Sequence, residues 1–255
     1  MAAARFVWVE LMTGDLPAAT VFYTRVVGWG ARDAGTPGMD YTLLTTGDAP
    51  VAGMMETPAA LKAMGAPSAW SGYIAVDDVD AMSARLLQAG GKVLRPADDI
   101  PGIGRFAVVA DPQGASFVLF KPMPSEAPPA PPAPGAIGTT SWRELRAMDG
   151  PAVFDFYAAL FGWTRGEAHS IGDMGIYQVF EIDGVPAGGI VTKQADAPSP
   201  GWRYYFSVDA IDAAAQRVTA HGGTIEMEPI LAGGGWILHA RDPQGAVFSL
   251  ASMTK

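Results

Sequence analysis

The chain has 255 residues, about twice the usual domain mode of roughly 100–150, so two domains are the first expectation. Apolar residues make up 49%, charged residues only 17%, and the formal net charge is −9, which excludes a disordered chain and argues against nucleic acid and anionic membranes as partners. The absence of cysteine removes disulfides, thiolate metal sites and a cysteine nucleophile.

In chain order, the run Phe6-Val7-Trp8-Val9 is too short for a secretory leader and reads instead as part of a strand over Phe6–Met12. Asp15 suits a helix N-cap, Pro17 the first turn and Gly28 a left-handed end, with Ala18, Phe22 and Val26 near one face of the helix between them. Strands follow over Tyr41–Thr46 and Val51–Met55, with a turn at Gly47-Asp48. A second strand-helix-strand set opens at Tyr73–Val76, continues in a helix from Val79 to Ala89 closed by Gly90-Gly91, and ends in strands near Lys92–Leu94, Arg105–Ala110 and Ser116–Phe120. From Pro122 to Pro134, seven of thirteen residues are proline, the composition of an extended, semi-rigid spacer. Beyond it the same order returns, with helices near Pro151–Phe161 and Ile211–Ala220.

The two halves are copies. Trp8-Val9-Glu10-Leu11, Asp15, Phe22-Tyr23 and Gly28-Trp29 recur as Trp142-Arg143-Glu144-Leu145, Asp149, Phe156-Tyr157 and Gly162-Trp163, all at an offset of 134. Trp70, Tyr73, Val76-Asp77 and Gly90-Gly91 return 132 residues later, and Asp111-Pro112-Gln113-Gly114 returns as Asp242-Pro243-Gln244-Gly245 after 131. A drift of three over a hundred residues marks one duplicated unit with small loop changes. Each copy reads as two β-α-β-β-β modules, so the expected architecture is α+β. Its expected boundaries are a domain over 1–121, a Pro-rich linker over 122–138 and a second domain over 139–255.

Gly14-Asp15-Leu16 through Phe22-Tyr23 and Val27-Gly28-Trp29, then Val76-Asp77 before Gly90-Gly91, then Asp111-Pro112-Gln113-Gly114, resemble in order and spacing the vicinal oxygen chelate superfamily. That superfamily holds glyoxalases, bleomycin-resistance proteins and extradiol dioxygenases. The resemblance implies two tandem domains of paired modules whose curved sheets surround cavities. Pairing within each half and pairing across the halves are both open.

In metal-dependent members of the family, His or Glu side chains from the first and last strands of the modules hold the metal. The matching positions here are Trp8, Gly53-Met54, Tyr73 and Val118, repeated as Trp142, Gly188-Gly189, Tyr205 and Ser249. None is His, Asp or Glu, so the ligand set of the family is missing and neither a metal nor another cofactor is expected.

Two carboxylates remain. Glu10 and Glu144 follow Trp8 and Trp142 by two residues, which places each Trp and its Glu on one face of a strand. Such a Glu can grip a ligand donor, act as a general base, or accept Tyr or backbone hydrogen bonds and fix the sheet. Trp8, Trp70, Tyr73, Trp142, Trp202, Tyr205 and Trp236 line pockets or pack, whereas Trp29, Trp163, Phe22, Tyr23, Phe156 and Tyr157 belong to the core. His221 suits a helix C-terminus, His169 a Gly-containing connection and His239 a strand, at no metal-binding spacing. Gly233-Gly234-Gly235 and Gly102-Ile103-Gly104 lack the context of phosphate loops and read as turns.

The expectation is therefore a protein, monomer or homodimer, that takes a small apolar or aromatic molecule through Trp8, Glu10, Tyr73, Trp142, Glu144 and Tyr205 without a metal. A cytoplasmic location is the default. The alternatives are a lyase or dioxygenase with an atypical ligand set, and a protein-interaction module that binds no ligand.

Overall fold

A computed structural model describes residues 3–35, 40–124, 132–133, 135–172, 175–195 and 199–255. Four β-α-β-β-β modules follow one another. The first is β1 (Phe6–Thr13), α1 (Leu16–Val26), β2 (Gly30–Asp33), β3 (Tyr41–Thr46) and β4 (Ala49–Glu56), followed by a one-turn helix α2 (Ala59–Ala63). The second is β5 (Ala69–Ala75), α3 (Val79–Gln88), β6 (Lys92–Ile100), β7 (Gly104–Ala110) and β8 (Ser116–Pro122). The third is β9 (Thr140–Ala147), α4 (Gly150–Phe161), β10 (Thr164–Ser170), β11 (Ile176–Ile182) and β12 (Val185–Thr192). The fourth is β13 (Gly201–Ser207), α5 (Ile211–Ala220), β14 (Thr224–Ala232), β15 (Gly235–Arg241) and β16 (Val247–Ser252). The sheets are curved half-barrels, and the fold is α+β.

Local chemistry explains the elements. Asp15, Asp78 and Asp149 cap α1, α3 and α4 by accepting from Ala18 N, Ala81 N and Ala152 N at 2.9, 2.9 and 3.0 Å. Pro17 and Pro151 occupy the first turns of α1 and α4, where a missing N–H costs nothing. Gly162 ends α4 at φ +73°, a conformation that a side chain would disfavour.

The chain divides into two compact units, and each takes one module from each half. The first comprises Met1–Val7, Ser71–Glu126 and Trp142–Arg203; the second comprises Trp8–Trp70, Ala127–Ser141 and Tyr204–Lys255. In the first unit the strand runs are β5-β8-β7-β6 and β10-β11-β12-β9, and Ala75 N donates to Arg5 O at the start of β1. In the second they are β2-β3-β4-β1 and β13-β16-β15-β14, with Ser207 N donating to Thr139 O just before β9.

Each unit has an aromatic core with a buried polar hub. In the first, Tyr157, Phe161, Trp163, Phe180 and Trp202 pack together, Trp163 stacking on Phe180 at 4.4 Å. Tyr157 donates there to Asp111 Oδ2 at 3.0 Å and accepts from Trp202 Nε1 at 3.3 Å. In the second, Phe22, Tyr23, Trp29, Trp70, Phe206 and Phe248 form the equivalent cluster. Tyr23 donates to Asp242 Oδ2 at 3.0 Å and accepts from Trp70 Nε1 at 2.8 Å. Both aspartates open Asp-Pro-Gln-Gly turns, and their Oδ1 atoms accept from Gln113 N and Ala115 N, or Gln244 N and Ala246 N.

Several expectations change. Trp70 and Trp202 are packing residues, because their indole N–H groups are committed to buried tyrosines. On α1 it is Ala19 and Tyr23 that join Phe22 and Val26 inside, while Ala18 is only half-buried. His169 lies within strand β10, opposite Tyr177 of the antiparallel β11, and not in a connection. Strand β2 is wholly exposed and only four residues long (Gly30-Ala31-Arg32-Asp33), so no hydrophobic alternation marks it, and α2 is too short to show a helical period. Pro122 closes β8, and most of the proline spacer lies outside the described residues. Gly233 and Gly234 turn the β14–β15 hairpin at positive φ, and His221 is the C-cap of α5. Among the described residues no helix is long and apolar enough to cross a membrane.

Candidate functional site

Strand β1 alternates. Val9 and Leu11 are buried, while Trp8 and Glu10 share the other face. Tyr41, the first residue of β3, joins them: Trp8 Nε1 donates to its hydroxyl at 2.9 Å, and the hydroxyl donates to Glu10 Oε2 at 2.8 Å. Glu10 is only 8% exposed. Room for the phenol ring exists because Gly53, opposite Glu10 on the parallel strand β4, has no side chain; a Cβ there would lie 1.9 Å from the Tyr41 oxygen. Burial, and then the charge of Glu10, push the Tyr41 hydroxyl far above the usual range of a phenol. It therefore stays a protonated donor, and the indole, phenol and carboxylate form a fixed chain.

The third module repeats the arrangement. Trp142 Nε1 donates to the Tyr177 hydroxyl at 2.7 Å, and that hydroxyl is hydrogen-bonded to Glu144, which is 7% exposed. Gly189 faces Glu144 across β12–β9, and a Cβ on it would meet the Tyr177 ring at 2.1 Å. Tyr177 too is held protonated by burial first and the glutamate second. Neither tyrosine stands out in the sequence reading. The available signal is their spacing of 136 residues, close to the repeat offset, together with a small residue at the same point of the facing strand.

Tyr73 on β5 is buried opposite Val118 and meets Phe120 edge-on at 5.7 Å. Its repeat, Tyr205 on β13, lies opposite Ser249 and its hydroxyl is 3.1 Å from His239 Nε2. Trp236 sits at the start of β15 with the Lys255 ammonium 5.0 Å from its ring centre.

The residues at the positions where the family resemblance implies metal ligands do not suit a divalent ion. Trp8 and Trp142 offer indole N–H donors already spent on tyrosines. Val118 offers no donor atom, Gly53 and Gly189 are filled by tyrosine rings, and Tyr73, Tyr205 and Ser249 bring only neutral hydroxyls. Among the described residues, no group of three or more His, Asp or Glu side chains is placed to hold a metal ion.

The sequence profile named Glyoxalase/Bleomycin resistance protein/Dioxygenase superfamily matches residues 5–119 and 138–250. The chain is 34% identical over 250 residues to CFP32 of Mycobacterium tuberculosis, a candidate glyoxylase by name, covering 95% of this chain and 92% of that protein. It is 32% identical over 261 residues to the anthracycline biosynthesis protein DnrV of Streptomyces peucetius, covering 96% and 92%. Among solved structures, an Mn(II)-bound glyoxalase from Novosphingobium aromaticivorans superposes with a TM-score of 0.66 at 18% identity, covering all of this chain and 84% of that one. The 2,2',3-trihydroxybiphenyl 1,2-dioxygenase of Sphingomonas wittichii gives 0.69 at 11% identity, covering 98% and 91%.

Proposed function

The chain belongs to the glyoxalase/bleomycin resistance protein/dioxygenase superfamily, and on that premise we propose that it binds a small apolar or aromatic molecule without a metal ion. The observation that carries this reading is the donor set: indole, phenol and aliphatic groups stand where the resemblance implies imidazole and carboxylate. Trp8 and Trp142 supply flat apolar surface, and Glu10 and Glu144, each tied to a tyrosine, supply a directional acceptor for a ligand N–H or O–H. Tyr73 and Tyr205 complete the proposed ligand-facing set. The name of DnrV supports a planar polycyclic ligand. The tandem sequence repeats are proposed to run over 1–121 and 139–255, joined by 122–138, each contributing one module to each compact unit.

The name of CFP32 favours a second reading, a glyoxalase-type lyase whose metal would be held by an atypical set that includes Glu10 or Glu144. One experiment separates the two. Protein purified without chelator is analysed for Zn, Ni, Mn and Fe and titrated with 1,4-dihydroxyanthraquinone by equilibrium dialysis. Saturable binding by protein with less than a tenth of an equivalent of metal is the expected result. Stoichiometric metal that is lost in Glu10→Gln or Glu144→Gln overturns it in favour of the lyase.

A further inference from the structure

Aligning the copies strand by strand exposes a difference confined to β15 and β16. Val108 and Val118 in the second module become His239 and Ser249 in the fourth, each at the offset of 131 that relates the Asp-Pro-Gln-Gly turns. Ser249 faces Tyr205 in the parallel β13–β16 ladder and His239 in the antiparallel β15–β16 ladder. Residues directly opposite one another project to the same side of a sheet, so the phenol, imidazole and hydroxymethyl groups meet on one face. Tyr205 and His239 are hydrogen-bonded at 3.1 Å. Ser249 is 0% exposed, yet its Oγ has no hydrogen-bond partner. A buried hydroxyl without a partner is destabilising, and the valine at the same place in the other copy shows that an apolar side chain fits this register.

We infer that Tyr205, His239 and Ser249 form a polar anchor, present in the second half and absent from the first, that takes a hydroxyl or carbonyl oxygen of a planar aromatic ligand. The Ser249 Oγ supplies the unsatisfied donor-acceptor, and the Tyr205–His239 pair fixes the geometry beside it. The two copies thereby differ in what they bind: the first half carries Val108 and Val118 where the second carries His239 and Ser249. The inference rests on the aromatic-binding reading above and assigns its polar specificity to one half of the chain.

The test uses the full-length protein and two probes, 1,4-dihydroxyanthraquinone and unsubstituted 9,10-anthraquinone, with affinity read by equilibrium dialysis and Tm by thermal unfolding. Adding the hydroxyls should tighten binding to the wild type. Ser249→Ala should weaken the dihydroxy probe roughly two- to tenfold, narrow its advantage over anthraquinone, and leave Tm unchanged or raised, since no internal bond is lost. His239→Val should narrow the same advantage, and Val118→Ala should leave it intact. An unaltered advantage in both Ser249→Ala and His239→Val, or an equal loss for Val118→Ala, overturns the anchor while leaving aromatic binding standing. Failure of both probes to bind the wild type overturns the aromatic-binding reading and the anchor together. If Ser249→Ala does not fold, its hydroxyl is structural and the anchor is likewise overturned.

Discussion

Tyr23 donates its hydroxyl to Asp242 across 219 residues of sequence, and Tyr157 does the same to Asp111 across 46, both at 3.0 Å. The bonds are equivalent in the repeat, yet each joins a helix of one half to a turn of the other. Removing either hydroxyl strips a bond from a buried carboxyl group. Tyr23→Phe and Tyr157→Phe should each lose about 1–3 kcal/mol in urea unfolding. Asp111→Ala and Asp242→Ala should lose more, because each also frees backbone N–H groups of its turn.

The same aspartates set a pH dependence. Burial raises both carboxyl groups above the ordinary 3.8, against the opposing pull of backbone and tyrosine donors. A carboxyl whose folded pKa is raised binds more protons in the folded than in the unfolded chain between the two values. Its contribution is full below 3.8 and is lost as pH rises through the raised value. Measured from pH 4 upward, Asp111→Asn and Asp242→Asn should each flatten this part of the stability profile; an unchanged slope in both would refute the assignment.

Glu10→Gln and Glu144→Gln keep the shape and an acceptor for Tyr41 or Tyr177. If the carboxylates anchor ligand, each substitution should cost about 1.5–3 kcal/mol of binding, roughly tenfold to somewhat over a hundredfold in Kd, with Tm little changed. A lowered Tm with unaltered affinity in both variants would make them sheet-fixing residues only.

Gly53→Ala and Gly189→Ala place a methyl group where the Tyr41 and Tyr177 rings now lie. The rings must move, so the chain from indole to glutamate breaks. Each variant should lose about 1–3 kcal/mol of stability and shift the Trp8 or Trp142 fluorescence, and a second substitution of the paired tyrosine by alanine should restore part of the loss.

The repeat made the module order legible, since caps such as Asp15 and Asp149 and the Asp-Pro-Gln-Gly turns act through local chemistry that recurs at fixed spacing. Strand alternation likewise put Trp8 and Glu10 on one face. Tyr41 and Tyr177 were not legible as site residues, because their roles depend on glycines in a facing strand, and cross-strand register is not written locally. Pocket lining and packing are not distinguishable for Trp70 and Trp202 in sequence, because the tyrosine acceptors that decide it lie 47 and 45 residues away. The choice of modules for each compact unit is a long-range packing outcome that periodicity does not encode.

That choice has a cost during synthesis. Neither compact unit is complete until segments of both halves have left the ribosome, and Tyr23 waits for Asp242. At about 5–20 residues per second, that interval is on the order of 10–40 s. Through it the nascent first half carries α1 with Phe22 and Tyr23 still lacking Phe248 and Asp242. The order of translation, as well as final stability, thus sets how long Phe22 and Tyr23 stay without their partners.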